Sequence, residues 1–257
     1  MGKSKHAVTR ICGAEANRIS IRGRDLVNDL MGKTGFTGLF LLQALGRPPT
    51  PLQITLVDAV LVTIMEHGLV PSAVATRLTY HGAPDSYQGA IAAGLLGVGD
   101  RYAGTAGLCG ALFQRILAHP PEARVEAALA EINAHRAQKR ALPGFGHPTH
   151  RTADPRVPRL IEIARQAGAT GEHIAVMEML EQQLQITVGR NIPVNVSAAI
   201  AAVLGEAGIP VSMMRGVVLV ARCAGLVGHL QEEMERPIGE TMWQTMEQSV
   251  TYDAGDD

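Results

Sequence analysis

Aromatic side chains are scarce in this chain, 4% of its 257 residues. With so few of the rings that favour a pleated surface, extensive β-structure is not expected. Cysteine is scarcer still. Cys12, Cys109 and Cys223 are odd in number, far apart and without metal-ligand spacing. Neither a disulfide framework nor a metal site is therefore expected, and the sparse set points to a reducing, cytoplasmic setting. A surplus of one charge is also missing. A net charge of −1 leaves no electrostatic footprint for nucleic acid or for an anionic membrane. The longest apolar stretch, from Val211 to Leu230, is interrupted by Arg215, Arg222 and His229. Such charges speak against a membrane span and for a helix buried on most sides. The first residues, Met1-Gly2-Lys3-Ser4-Lys5-His6, lack the apolar run of a signal peptide. Neither G-x-x-x-x-G-K-[ST] nor G-x-G-x-x-G occurs, so a nucleotide phosphate loop is not supported.

What is present favours helices. Hydrophobic residues make up 46% of the chain, enough for a sizeable core, and Ala, Leu, Glu and Gln are abundant. One early exception is a small hairpin, predicted from the β-prone runs Val8–Ile11 and Ile19–Arg22 around residues 13–17. Thr50 and Pro51 read as the N-cap and first residue of a helix reaching about Met65. Further helices are predicted at about 121–141, 155–167, 172–188, 196–206 and 211–235. Gly168 and Gly189 stand just past the ends of two of them.

The loops between these helices carry the chemistry. The strongest segment is Leu142-Pro143-Gly144-Phe145-Gly146-His147-Pro148, followed by Asp154-Pro155-Arg156. Its Pro and Gly residues break the helix and let backbone approach a ligand, and His147 ends the loop. Gly-Pro loops are common and a lone His is usually structural, so by residue type alone a structural loop is the commoner reading.

The string from Pro143 to Arg156 resembles the Pro-Gly-(Tyr/Phe)-Gly-His loop and Asp-Pro-Arg of the citrate synthase superfamily. Other elements match in order: residues 22–26, residues 45–50, Glu66-His67-Gly68, residues 190–197, Arg222-Cys223-Ala224-Gly225-Leu226 and Glu235-Arg236-Pro237. The likeness covers nearly the whole chain and is nearest to the compact citryl-CoA lyase branch. It implies an all-α, citrate synthase-like unit over 1–257. Its large domain would span about 1–140 and 205–257, and its small domain about 141–204. It also implies a homodimer or higher homo-oligomer that binds a carboxylate-bearing CoA thioester, with coenzyme A as part of the substrate and no metal.

The resemblance assigns roles. His147 would act as acid or base on the substrate oxygen. His67, Arg156, Arg222 and Arg236 would hold the carboxylates, Arg236 from a neighbouring subunit; an Arg fork suits a carboxylate. Pro143, Gly144, Phe145 and Gly146 would cradle the CoA adenine, with Arg151 and Arg190 as its basic partners. Two departures bear on the chemistry. Ser197 stands where the family has a catalytic Asp, and Ser is no general base near neutral pH. Tyr102, with Asp100 and Arg101 beside it, stands where the family has a thioester-binding His. A Tyr hydroxyl still donates a hydrogen bond to an oxyanion. Retro-Claisen cleavage of a citryl-CoA-like 3-hydroxyacyl-CoA ranks first. Decarboxylation of a carboxyacyl-CoA comes second, and a catalytically silent CoA-binding homologue third.

Overall fold

The computed structural model describes residues 7–99, 103–146, 153–253 and 255. As the composition predicts, these residues are mostly helical. The β-structure is an N-terminal antiparallel sheet in the order β1 (Cys12–Glu15), β2 (Arg18–Ile21), β3 (Arg24–Asp25). The first strand begins four residues later than the β-prone run at Val8. Pairing counts outward from the two-residue turn at Ala16-Asn17, so Glu15 faces Arg18 and Cys12 faces Ile21. The second turn, Arg22-Gly23, has φ of 49° and 78°. Two successive positive φ values match the twist of a tight hairpin, and Gly23 takes one of them without strain. The Arg22 guanidinium anchors this turn by donating to the Gln43 carbonyl at 3.0 Å.

Helices follow. α1 (Phe36–Leu45) ends at Gly46 with φ of 71°. α2 (Pro51–Ile64) starts with the predicted Thr50 cap, completed by Gln53: the Gln53 amide donates to Thr50 Oγ1, and the Thr50 amide to Gln53 Oε1. This reciprocal arrangement satisfies two otherwise orphaned donors. α3 (Pro71–Gly82) and α4 (Tyr87–Gly99) pack closely together. α5 (Thr105–Leu117) and α6 (Arg124–Ala137) come next, α6 preceded by a 3-10 turn at Pro121–Ala123. α7 (Arg156–Gln166), α8 (Glu172–Val188), α9 (Val196–Glu206) and α10 (Val211–Glu235) match the predicted positions within a residue or two. The chain closes with α11 (Gly239–Ser249).

α9 is the hub. Every residue from Ala198 to Leu204 is buried, and its run of alanines lets α5, α7 and α8 close on it. A Leu or Ile buried in this way contributes about 1.5–3 kcal/mol. α10 packs on α2, α3, α4 and α5. By length and composition it is the one helix among the described residues that could cross a bilayer. In this fold it carries two buried charged side chains, Arg222 and Glu233.

Candidate active site

The Pro143–Gly146 loop is stitched to the entrance of α9. The Gly146 amide donates to the Pro193 carbonyl at 2.8 Å, and the Asn195 amide to the Gly144 carbonyl at 2.9 Å. The Asn195 side chain adds a bond from Nδ2 to the Gly146 carbonyl at 2.9 Å, while its Oδ1 accepts the Ser197 amide and caps the helix. Phe145 is buried and bridges to Val194. Gly144 has φ of 85°, and a Cβ there would come within 2.6 Å of both the Ala198 Cβ and the Cys109 Sγ. The loop can lie flat between α5 and α9 only with glycine at this position.

Asp154 holds the other side of the same entrance. Its carboxylate is buried and accepts Arg156 Nε at 2.9 Å and Arg156 Nη2 at 2.8 Å. It also accepts the Arg156 and Val196 amides, at 3.1 and 3.2 Å. One carboxylate thus orients the Arg156 fork and fixes it to the first turn of α9. Ser197, the next residue of that turn, is half-buried.

A third wall comes from α10. Arg222, Gly225 and His229, spaced three and four residues apart, form one stripe on the helix. A Cβ on Gly225 would overlap the Met65 carbonyl oxygen, so glycine is what lets α10 meet the end of α2. This approach brings Glu66 to Arg222 and His229. Burial lowers the pKa of Arg222 below the usual guanidinium value; Glu66 opposes that shift and Arg156 adds to it. Arg156 and Arg222, far apart in sequence, therefore share one electrostatic environment. Burial pushes the Glu66 carboxyl up, but the His67 and Gly68 amides and His229 outweigh it and hold Glu66 below the usual carboxylate range. Those amides donate to Glu66 Oε1 at 2.8 and 2.6 Å and shape the turn that carries His67.

Beside the Phe145–Gly146 edge lies a cavity of about 600 Å³. Arg190 lines it, as do His135, Arg136 and Arg140 near the end of α6. Leu142, Ile192 and other apolar groups form its floor. A half-apolar cavity with a basic rim suits a flat ring bearing phosphates.

The predicted residues thus fall into two neighbouring groups. Phe145, Gly146 and Arg190 border the basic cavity, with Pro143 and Gly144 in the same loop. Arg156, Arg222 and Ser197 gather around the start of α9 and the stripe on α10, with the exposed His67 on the turn after α2. Arg236 is exposed where α10 gives way to α11. His147, Tyr102 and Arg151 lie outside the described residues. Among the described residues no group of three or more His, Cys, Asp or Glu side chains is placed to hold a metal ion. Several members were not evident from residue type alone. Arg136 sits in the last turn of α6 and Arg140 just beyond its end. His229, seven residues from Arg222, lies on the same face of α10.

Comparison with known proteins bears on this arrangement. A citryl-CoA lyase from Hydrogenobacter thermophilus has the same fold, with a TM-score of 0.86, 28% identity, and coverage of 98% of this chain and 96% of that one. An ATP citrate lyase from Methanothrix soehngenii, solved with citrate and coenzyme A, shares the fold with a TM-score of 0.80 at 18% identity, over 100% of this chain and 43% of that one. Citrate synthase 2 of Bacillus subtilis (strain 168) is 25% identical over 202 residues, which is 78% of this chain and 53% of that protein. The chain spans about half the length of the curated relatives it matches. The family model described as citrate synthase, C-terminal domain, matches residues 6–241, and the chain belongs to the citrate synthase family.

Proposed function

We propose that this chain is a carbon–carbon lyase that cleaves a citryl-CoA-like thioester by a retro-Claisen reaction. The observation that carries the reading is the double anchoring of the α9 entrance. Asn195 ties it to the Gly144–Gly146 loop and the basic cavity, and Val196 ties it through Asp154 to the Arg156 fork. A site for the CoA end thus adjoins a site for carboxylates. The likeness in fold to a citryl-CoA lyase supports a lyase over a synthase.

In this reading Arg156 and Arg222 hold the tricarboxylate end, with His67 close by. Arg236 serves the site of a neighbouring subunit in a homodimer. Residues 141–204 form the small domain that closes over the substrate. His147 takes the proton from the substrate hydroxyl. The bond between the carbinol carbon and the methylene next to the thioester then breaks, and its electron pair becomes the enolate of acetyl-CoA. Tyr102 donates a hydrogen bond to the enolate oxygen. The enolate carbon takes a proton from water, directly or through Ser197; the hydroxide so formed takes back the proton held by His147, and oxaloacetate and acetyl-CoA leave. A Ser at position 197 in place of a carboxylate handicaps condensation, which must abstract a proton from carbon, whereas cleavage has only to return a proton to the enolate carbon.

Incubation with citryl-CoA, followed by mass spectrometry, tests the proposal. Equal amounts of acetyl-CoA and oxaloacetate are expected. Loss of CO2 from malonyl-type thioesters with citryl-CoA untouched would sink it in favour of the decarboxylase that neutral Ser197 also allows. Affinity for CoA without any turnover would leave a silent binding homologue.

A further inference from the structure

A chain of polar side chains runs behind the carboxylate group of the site. Arg77 of α3 is fully buried. Its Nη1 donates to Glu233 Oε2 at 2.7 Å, its Nη2 is paired with Glu232, and its Nε donates to His229 Nδ1 at 3.0 Å. With Nδ1 engaged as an acceptor, the ring proton resides on Nε2, which faces Glu66 Oε1 at 3.1 Å. Glu66 Oε1 also accepts the His67 and Gly68 amides. At the other end, Glu233 Oε1 accepts the Ile238 and Gly239 amides that open α11, at 3.0 and 2.7 Å. The chain therefore joins the His67 turn to the segment that holds Arg236.

We infer that His229 is a positioning residue, which locks Glu66 in the geometry that shapes the His67 turn beside Arg222. Two properties of the arrangement support a role beyond packing. Every donor and acceptor of the imidazole is committed in one direction, so the ring can bridge only a donor behind it and a carboxylate in front. The Glu66 side chain is 56% exposed, and apart from His229 its carboxylate accepts from the His67 and Gly68 amides of its own turn. A carboxylate bound to its own adjacent amides alone retains rotamer freedom that a third, rigid partner removes. Arg222, which feels the Glu66 charge, would lose a fixed counter-charge at the same time.

Use of the site for a tricarboxylate rests on the function proposed above, whereas the positioning itself does not. Two variants of the full-length chain separate the cases. In His229→Asn the carboxamide oxygen can still accept from Arg77, but the side chain stops short of Glu66. In His229→Gln the amide is long enough to accept from Arg77 and donate to Glu66. In ¹H–¹⁵N spectra, the His67 and Gly68 amide resonances should move upfield in His229→Asn and stay near wild type in His229→Gln. The wild-type ring should show the Nε2–H tautomer in its ¹⁵N shifts. Citrate affinity by calorimetry should fall on the order of ten-fold in His229→Asn, the size of one hydrogen bond to a charged group. It should recover in His229→Gln, with CoA affinity unchanged in both. Unmoved His67 and Gly68 amides in a folded His229→Asn would overturn the inference. Moved amides in a chain whose wild type does not bind citrate would uphold it and count against the proposed substrate instead.

Discussion

The carboxylate of Asp154 lends itself to a quantitative test because its hydrogen bonds come in opposed pairs. Oδ1 accepts the Arg156 amide and Nε, and Oδ2 accepts Arg156 Nη2 and the Val196 amide. In Asp154→Asn one oxygen becomes an amide nitrogen. Either orientation of the new side chain points that donor at two existing donors. Asp154 is 1% exposed, so water cannot enter to relieve the clash, whereas the Arg156 side chain is 25% exposed and partly rehydrates. Removing one partner of a fully buried pair costs about 3–5 kcal/mol, and the partial exposure of Arg156 places this case near 3. At about 2–4 °C per kcal/mol for a chain of this size, Tm should fall by roughly 6–12 °C. Released from its fork, Arg156 should also bind citrate more weakly, by about ten-fold or more, since a positioned bidentate contact becomes a mobile one. Scanning calorimetry and citrate titration on the same preparations provide the measurements. A folded Asp154→Asn chain with Tm within about 2 °C of wild type would refute the account of Asp154 as the clamp between Arg156 and α9.

Three further outcomes are expected. Gly144→Ala should destabilise the chain by about 1–3 kcal/mol in urea unfolding, because the added methyl strains the backbone and meets both α5 and α9; an unchanged midpoint would contradict the tight loop seam. Arg190→Glu should weaken CoA binding several-fold, and more at low salt than at high salt, because phosphate contacts at an exposed Arg are screened; equal loss at both salt levels would place Arg190 elsewhere than on the phosphates. Burial lowers the pKa of His173 below its ordinary value, against the upward pull of Glu206 and Glu172. The unfolded chain then takes up a proton before the folded one does, so this stability is present above about pH 6.5 and is lost as the pH falls through the lower folded value. Unfolding free energy measured across that window should fall toward acid in wild type and be flatter in His173→Gln; parallel curves would refute the assignment.

Much of this molecule is legible in its residues taken in order. The helix positions from α7 to α10 follow from periodicity and from Gly168 and Gly189, which supply the left-handed backbone that ends two of the helices. The Thr50-Pro51 start of α2 is a local signal, because the cap and its Gln53 partner lie within one turn. The Gly144–Gly146 loop and the Asp154–Arg156 pair stand out by residue type and order. Local rules do not reach the pairing in the N-terminal sheet, where the turn at Ala16-Asn17, rather than β-propensity, sets which residues face each other. Nor do they reach contacts across the chain. Glu66 meets His229 across 163 residues, and Arg77 meets Glu233 across 156. These pairs exist because Gly225 lets α10 close on the end of α2 and because α3 packs against α10. The sequence by itself determined a mostly helical chain with a glycine-bounded loop and arginines of the right kind. Only the tertiary structure decided which of those arginines share one field, because charge and hydrogen bonding act across space and depend on which helix faces come together.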